Sequence, residues 1–269
     1  MDKIAFIGGG NMAAAIIGGL IKSGRAPGSI LVVDPGEAQR AKLQAEFGVR
    51  TSSAADVALQ QATTIVWAVK PQFFQAAAAP CAAYIGSALQ LSVMAGIRSD
   101  AVANATRAAR VVRSMPNTPA LIGEGIAGLF ARDAVTAADR AEVEAVLAPT
   151  GVLLWVAREE DLDAVTALSG SGPAYVFYFV EAMMQAAREM GLSDAQGKAL
   201  ALATFAGATS LAQASDEPPS VLRERVTSKG GTTHAALAAL EASGVKAAFV
   251  AAMKAAQRRA RELGDEFGA

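Results

Sequence analysis

Ile4-Ala5-Phe6-Ile7-Gly8-Gly9-Gly10-Asn11-Met12-Ala13, near the start of the 269-residue chain, decides the fold. Four strand-forming residues run straight into a G-x-G-x-x-A turn, and a helical pattern over 12–22 follows. Each small residue has a task in a dinucleotide fingerprint. Gly8 permits the tight turn, Gly10 lets a pyrophosphate approach the backbone, and Ala13 allows close packing of helix on strand. The helix that begins at Asn11 and Met12 then turns its first amides toward the phosphates. Alone, such a glycine cluster is weak and reads equally as an ordinary glycine-rich turn. Here a strand precedes it, a helix follows and a second strand lies at 30–33, which is the context the motif requires. That second strand ends in Asp34, about twenty residues on, where an acidic side chain accepts from a ribose 2′-hydroxyl and favours NAD. Two other readings stay open at this point. Asp34 caps the helix that starts near Glu37, or Arg40 offsets it and admits a 2′-phosphate.

Working outward, strands are expected at 30–33, 64–69, 89–94, 110–113, 126–130 and 152–156, and helices at 37–47, 73–84, 100–106 and 137–147. Continuously apolar strands alternating with helices predict βαβ units and a mainly parallel sheet. After Trp155 the strand signal stops, and helices are expected at 161–168, 174–190, 194–214, 221–226, 232–242 and 246–267. Ser193-Asp194 starts one helix, Gly191 closes its predecessor, and Gly244 separates the last two. The fold class is therefore an α/β Rossmann-type dinucleotide-binding domain, residues 1–160, followed by an all-α dimerisation and substrate domain, residues 161–269. The boundary is expected at 157–162. The segment 199–212 is apolar on nearly every face, so it needs cover all round. Interleaved helices of two subunits supply that cover, as would a central position in a monomeric bundle.

Composition narrows the function. The chain is 52% hydrophobic and 18% charged with a formal net charge of -1, which fits a packed globular core and offers no basic patch for nucleic acid. Arg258, Arg259 and Arg261 alternate with Glu262, Asp265 and Glu266 as a solvated helix face. The single cysteine, Cys81, reads as a small buried thiol and suits a reducing cytoplasm. No apolar run reaches the length of a membrane span, no signal-peptide pattern is expected, and no His/Cys/Asp cluster has metal-ligand spacing.

Four further segments have chemical promise. Trp67-Ala68-Val69-Lys70-Pro71 ends a strand at the edge where open α/β sheets bind ligands, although a lysine there is often simply solvated. Ser114-Met115-Pro116-Asn117-Thr118-Pro119 is a polar loop stiffened by two prolines, either a pocket wall or an ordinary turn. Ser169-Gly170-Ser171-Gly172-Pro173-Ala174 opens a helix, or is a plain interdomain turn. Thr227-Ser228-Lys229-Gly230-Gly231-Thr232-Thr233 places bare amides and hydroxyls at a helix start, an arrangement that holds a carboxylate or phosphate, or only caps the helix. His234, the one histidine, reads as a surface or packing residue rather than a catalyst.

Taken together, these segments resemble the pyrroline-5-carboxylate reductase family along essentially the whole chain. The last three, in this order and spacing, are the most specific. The resemblance implies reduction of 1-pyrroline-5-carboxylate to L-proline with NADPH or NADH, the last step of proline biosynthesis, by a cytoplasmic homodimer that can assemble into a decamer. It implies that Gly8, Gly10, Asn11, Met12, Ala13, Ala68, Val69, Lys70 and Asn117 lie against the cofactor, and the residue reading adds Asp34 and Pro71 to this cofactor-binding set. Ser228, Gly231, Thr232 and Thr233 would hold the substrate carboxylate, partly through a second subunit, with the Thr233 hydroxyl the candidate hydrogen-bond donor to the ring nitrogen. Family members often carry Ser or Thr near the position of Asp34, a departure that argues against a strong NADPH preference. Lys229 stands where many members have Pro, which leaves the loop's backbone role intact. A related imine or 2-hydroxy-acid reductase, and a dinucleotide-binding regulator without turnover, are the alternatives on the same scaffold.

Overall fold

The computed structural model describes residues 3–267. They pack as two compact units. One comprises the residues up to Pro173 together with those from Ala255 onward, and the other is Ala174–Lys254.

The first unit is built on one sheet of eight strands: β1 (Ile4–Ile7), β2 (Ile30–Val33), β3 (Arg50–Ser52), β4 (Thr64–Trp67), β5 (Leu89–Ser92), β6 (Val111–Met115), β7 (Gly125–Ala131) and β8 (Gly151–Trp155). Their order is β3-β2-β1-β4-β5-β6-β7-β8. All neighbours are parallel except β6 and β7, with Arg113 opposite Phe130. Helices cover both faces. On one, α1 (Asn11–Lys22), α2 (Glu37–Phe47) and α5 (Ala137–Leu147) enclose Ile4, Phe6, Val32 and Val66. On the other, α3 (Phe74–Cys81) and α4 (Ser99–Thr106) enclose Ala5, Ile7, Ile65 and Trp67. Because both faces are covered, β1, β2 and β4 are buried at every position and show no polar alternation. Cys81 lies in the second of these layers, where burial pushes its thiol pKa up to about 11.

The expected strands at 64–69 and 89–94 end two residues early, at Trp67 and Ser92. Strand β3 was not expected. It is three polar or half-exposed residues at a sheet edge, too short for a hydrophobic pattern. The helix expected at 161–168 is α6 (Asp161–Val165) followed by one π-helical turn, Thr166–Gly170, closed by Ser171 N–H to Thr166 O at 2.8 Å. The hydroxyls of Thr166 and Ser169 donate to the Leu162 and Val165 carbonyls four residues back, a side-chain bond that competes with the regular ladder.

The division expected at 160/161 follows the change from strands to helices, whereas packing divides the chain after Pro173. Side-chain bonds explain the later division. Glu159 bonds Arg113 and Ser99, Asp163 bonds Arg98, and the Asn117 amide reaches the Ser169 carbonyl, so the start of the helical half stays on the sheet.

The second unit contains α7 (Gly172–Glu189) from its third residue on, α8 (Asp194–Gln213), α9 (Pro219–Arg225), α10 (Thr232–Ala242) and the first part of α11 (Val245–Phe267). Ser193 and Gln196 form a capping box on α8, while Gly191 and Gly244 take positive φ between helices. Gly197 lets α8 approach α7, since an added Cβ would fall 2.9 Å from Ala187 Cβ. Tyr175 and Phe179 pack on Phe249. Only Gly197 and Ala201 of α8 are buried, and Leu200, Leu202 and Leu211 are exposed in the single chain.

Candidate functional site

Strand order fixes where a ligand sits in the first unit. The chain runs outward from β1 through β2 to β3 and then back across to β4, so the topological switch lies between the carboxyl ends of β1 and β4. Gly8 follows β1 and Ala68-Val69-Lys70 follows β4, so these two sequence motifs meet there. Gly8 N–H donates to Val33 O and Ala68 N–H to Ile7 O, each at 2.8 Å. Gly8 has φ +95°, and an added Cβ would lie 2.8 Å from the Ala68 carbonyl carbon and oxygen. Glycine is required there on both counts.

Gly10 is the N-cap of α1, with extended backbone and no side-chain cap. An added Cβ at Gly10 meets no atom within 4 Å. The first-turn amides of α1 have no intrahelical acceptors, so this end of the helix presents bare donors and the positive end of its dipole to open space. Exposed Asn11 and half-buried Met12 border it, while Ala13 is fully buried against the core. These are the features a pyrophosphate needs.

Asp34 is half-buried, and both of its carboxylate oxygens accept main-chain hydrogen bonds, Oδ2 from Gly9 N–H and Oδ1 from Gly36 N–H, each at 2.8 Å. Helix α2 is capped by Gly36, so the capping reading of Asp34 gives way to a turn at 34–36. Arg40 donates to the carbonyl oxygens of Asp34 and Pro35 at 2.7 and 2.8 Å. Lys70 is exposed and extended ahead of the single turn that Pro71 begins.

Asn117 follows β6 at the same sheet edge and is buried. Its Nδ2 donates to Ser169 O at 3.2 Å and its Oδ1 accepts from Ile126 N–H at 3.0 Å. The side chain thus ties three segments together. The turn Thr118–Ile122 after it packs on α1.

In the second unit, Ser228, Gly231, Thr232 and Thr233 are brought together by a turn and the start of α10. Gly230 takes φ +77°, Gly231 N–H donates to Ser228 O at 3.0 Å, and Gly231 caps α10 without a side-chain bond. Space beside Gly231 is filled by Ser228, whose Oγ would lie 2.5 Å from an added Cβ. Ser228 and Thr232 are exposed and Thr233 half-buried, while His234 points into solvent one position on. Among the described residues no group of three His, Cys, Asp or Glu is placed to hold a metal ion.

Sequence reasoning passed over Gly9 and Gln39. Gly9 sits at the unspecified position of the fingerprint, yet an added Cβ would lie 2.8 Å from Leu43 Cδ1. Gln39 Nε2 donates to the Gly9 carbonyl at 2.5 Å. A cavity of about 660 Å³ between Thr63, Leu89, Arg110 and Glu142 opens at the amino ends of β4 and β5, the opposite edge from the glycine turn.

The sheet order, the uncapped helix and the glycine at positive φ define a Rossmann-type dinucleotide-binding protein with a helical companion unit. Comparison with known proteins narrows this. Residues 3–96 match the family described as NADP oxidoreductase coenzyme F420-dependent, and residues 159–263 match pyrroline-5-carboxylate reductase dimerisation. Over 268 residues the chain is 41% identical to a pyrroline-5-carboxylate reductase of Pseudomonas aeruginosa, covering 99% of this chain and 98% of that one. The solved pyrroline-5-carboxylate reductase of Coxiella burnetii superposes with a TM-score of 0.91 at 34% identity, over 97% of this chain and 98% of that one. A Plasmodium falciparum pyrroline carboxylate reductase solved with NADP bound gives 0.87 at 27% identity, over 98% of each chain. The chain belongs to the pyrroline-5-carboxylate reductase family.

Proposed function

We infer that this protein reduces 1-pyrroline-5-carboxylate to L-proline with NADPH or NADH, the closing step of proline biosynthesis. The observation that carries this reading is the full-length match to pyrroline-5-carboxylate reductases, which spans both the open glycine turn and the Ser228–Thr233 turn. The nicotinamide cofactor supplies the hydride. The chain's own residues bind and orient. Gly8, Gly10, Asn11, Met12 and Ala13 hold the pyrophosphate, Asp34 faces the adenosine ribose, and Ala68, Val69, Lys70 and Pro71 border the dinucleotide. Asn117 fixes the loop beside the nicotinamide through its two hydrogen bonds.

Ser228, Gly231, Thr232 and Thr233 hold the substrate carboxylate, partly through a second subunit, and the bare amides at the start of α10 suit an anion. The Thr233 hydroxyl donates to the ring nitrogen. A substrate bound as the iminium already carries its proton, so no buried strong acid is needed. The residues from 161 onward form the dimerisation and substrate domain. The exposed apolar surface of α8 supports a homodimer through the helical units, and dimers assemble further into decamers. The protein acts in the cytoplasm, where its lone buried thiol stays reduced. Among the described residues no single helix is long and apolar enough to cross a membrane.

Steady-state oxidation of NADPH and NADH, each with 1-pyrroline-5-carboxylate, tests this reading. Imine-dependent turnover that yields proline supports it. Turnover of 2-hydroxy acids instead, or dinucleotide binding without turnover, overturns it. Thr233→Ala should lower kcat at least tenfold with the dinucleotide dissociation constant unchanged.

A further inference from the structure

The residue between the two fingerprint glycines is held on both sides by the segment after β2. Gly9 N–H donates to Asp34 Oδ2 at 2.8 Å, and the Gly9 carbonyl accepts from Gln39 Nε2. These two bonds fix two successive peptide planes. In a trans peptide the C=O and the following N–H point in opposite directions, and this chain has no cis peptide bond among its described residues. Anchoring the Gly9 carbonyl on Gln39 therefore aims the Gly10 N–H away from α2. The uncapped end of α1 begins there, and an added Cβ at Gly10 meets no atom within 4 Å, so the turn is open at this residue. Leu43, one turn beyond Gln39, closes on Gly9 and leaves no room for a side chain there, so two successive turns of α2 meet this one residue.

We propose that Gln39 is a positioning residue for the cofactor pyrophosphate: its side-chain amide holds the Gly9 carbonyl and thereby directs the Gly10 N–H at the phosphate. Gln39 does not touch the reacting atoms. It sets the direction of a donor before the ligand arrives, so that binding does not have to reorient the peptide. This rests on the dinucleotide role of the glycine turn and deepens it. The pyrophosphate is common to NADH, NADPH and ADP, so losing the Gln39 bond should weaken all three by a similar factor. One neutral hydrogen bond corresponds to a change of roughly five- to tenfold.

The test uses Gln39→Met, which keeps length and removes the donor, with Gln39→Ala as a second variant. Dissociation constants for NADH, NADPH and ADP are read by titration without imine. The KM for 1-pyrroline-5-carboxylate at saturating cofactor and the thermal midpoint of the free protein are measured beside them. The expected result is a parallel five- to tenfold rise in all three dissociation constants, with the imine KM and the midpoint near wild type. Constants within twofold of wild type would overturn the proposal. So would a loss confined to NADPH, which places Gln39 at the 2′-phosphate, a loss confined to NADH and ADP, which places it at the ribose 2′-hydroxyl, or an equal rise in imine KM, which marks general damage. The binding arm needs no turnover, so a wild type that fails to reduce the imine sinks the proposed reaction and leaves this inference standing on its own data.

Discussion

Replacing Glu159 by alanine tests how the helical half is tied to the sheet. Arg113 on β6 and Glu159 before α6 form an ion pair at 2.6 Å, with side chains only 6% and 15% exposed. The carboxylate also accepts the Ser99 N–H and hydroxyl, both at 2.6 Å, and so caps α4 from outside. Burial pulls the Arg113 guanidinium below the usual arginine value, and Glu159 offsets part of that. Glu159→Ala leaves a buried cation without its counter-ion, which costs about 3–5 kcal/mol. The double variant Arg113→Met/Glu159→Leu removes both charges and keeps only the loss of the two Ser99 bonds, about 1–3 kcal/mol, which the single variant suffers as well. Both tryptophans, Trp67 and Trp155, lie in the first unit. Urea unfolding followed by their fluorescence therefore reports the unit that holds the pair. The single variant should be less stable than the double by at least about 2 kcal/mol. Equal losses in the two would refute the argument that the unpaired charge dominates.

Two other perturbations separate stability from binding. Gly8→Ala places a Cβ 2.8 Å from the Ala68 carbonyl at φ +95°, so it should cost about 1–3 kcal/mol and weaken dinucleotide binding. Gly10→Ala meets nothing in the free protein and should leave the thermal midpoint near wild type while binding falls, which calorimetry and titration together would show. Asp139 is buried, which by itself raises its pKa. The Thr136 amide and hydroxyl and the Arg110 guanidinium outweigh this and hold the carboxyl below its usual value. The stabilisation is complete above the unfolded value of about 3.9 and is lost as pH falls through the lower folded value. Asp139→Asn should therefore cost about 1 kcal/mol near pH 7, and a gap to wild type that stays unchanged near pH 3 in urea titrations would contradict this.

The fold was legible where burial is two-sided and strands are continuous. β1 and β2 were read with their observed bounds because every residue in them is apolar and every one is buried. Helices α2, α5 and α10 were read with their observed bounds as well. Edges were less legible. β3 is Arg50-Thr51-Ser52, which pairs through its backbone alone and carries no hydrophobic signal. The π-turn at Thr166–Gly170 is accompanied by hydroxyls that donate four residues back, and helical periodicity does not register such bonds. The packing boundary after Pro173 was hidden for a similar reason. Salt bridges between residues 46 and 65 positions apart hold 159–163 on the sheet, and a pattern read along the chain registers local order only.

The candidate site shows the same divide between backbone and side-chain information. The fingerprint states where a chain must lack side chains, so Gly8 and Gly10 could be placed from sequence. Gly9 stands at a position the motif leaves free, and its need for glycine comes from Leu43, thirty-four residues later, which only the fold brings within reach. Asp34 is the instructive case. A rule of spacing marked it for the ribose, and in the structure its carboxylate clamps the glycine turn through Gly9 and shapes the turn before α2 through Gly36. A substitution at Asp34 therefore acts on turn geometry, and on the proposed ribose contact as well. A change in NADH against NADPH preference at that position has to be read beside ADP binding, because a change in turn geometry weakens all three ligands in parallel, whereas a change at the ribose 2′ position separates NADPH from NADH and ADP.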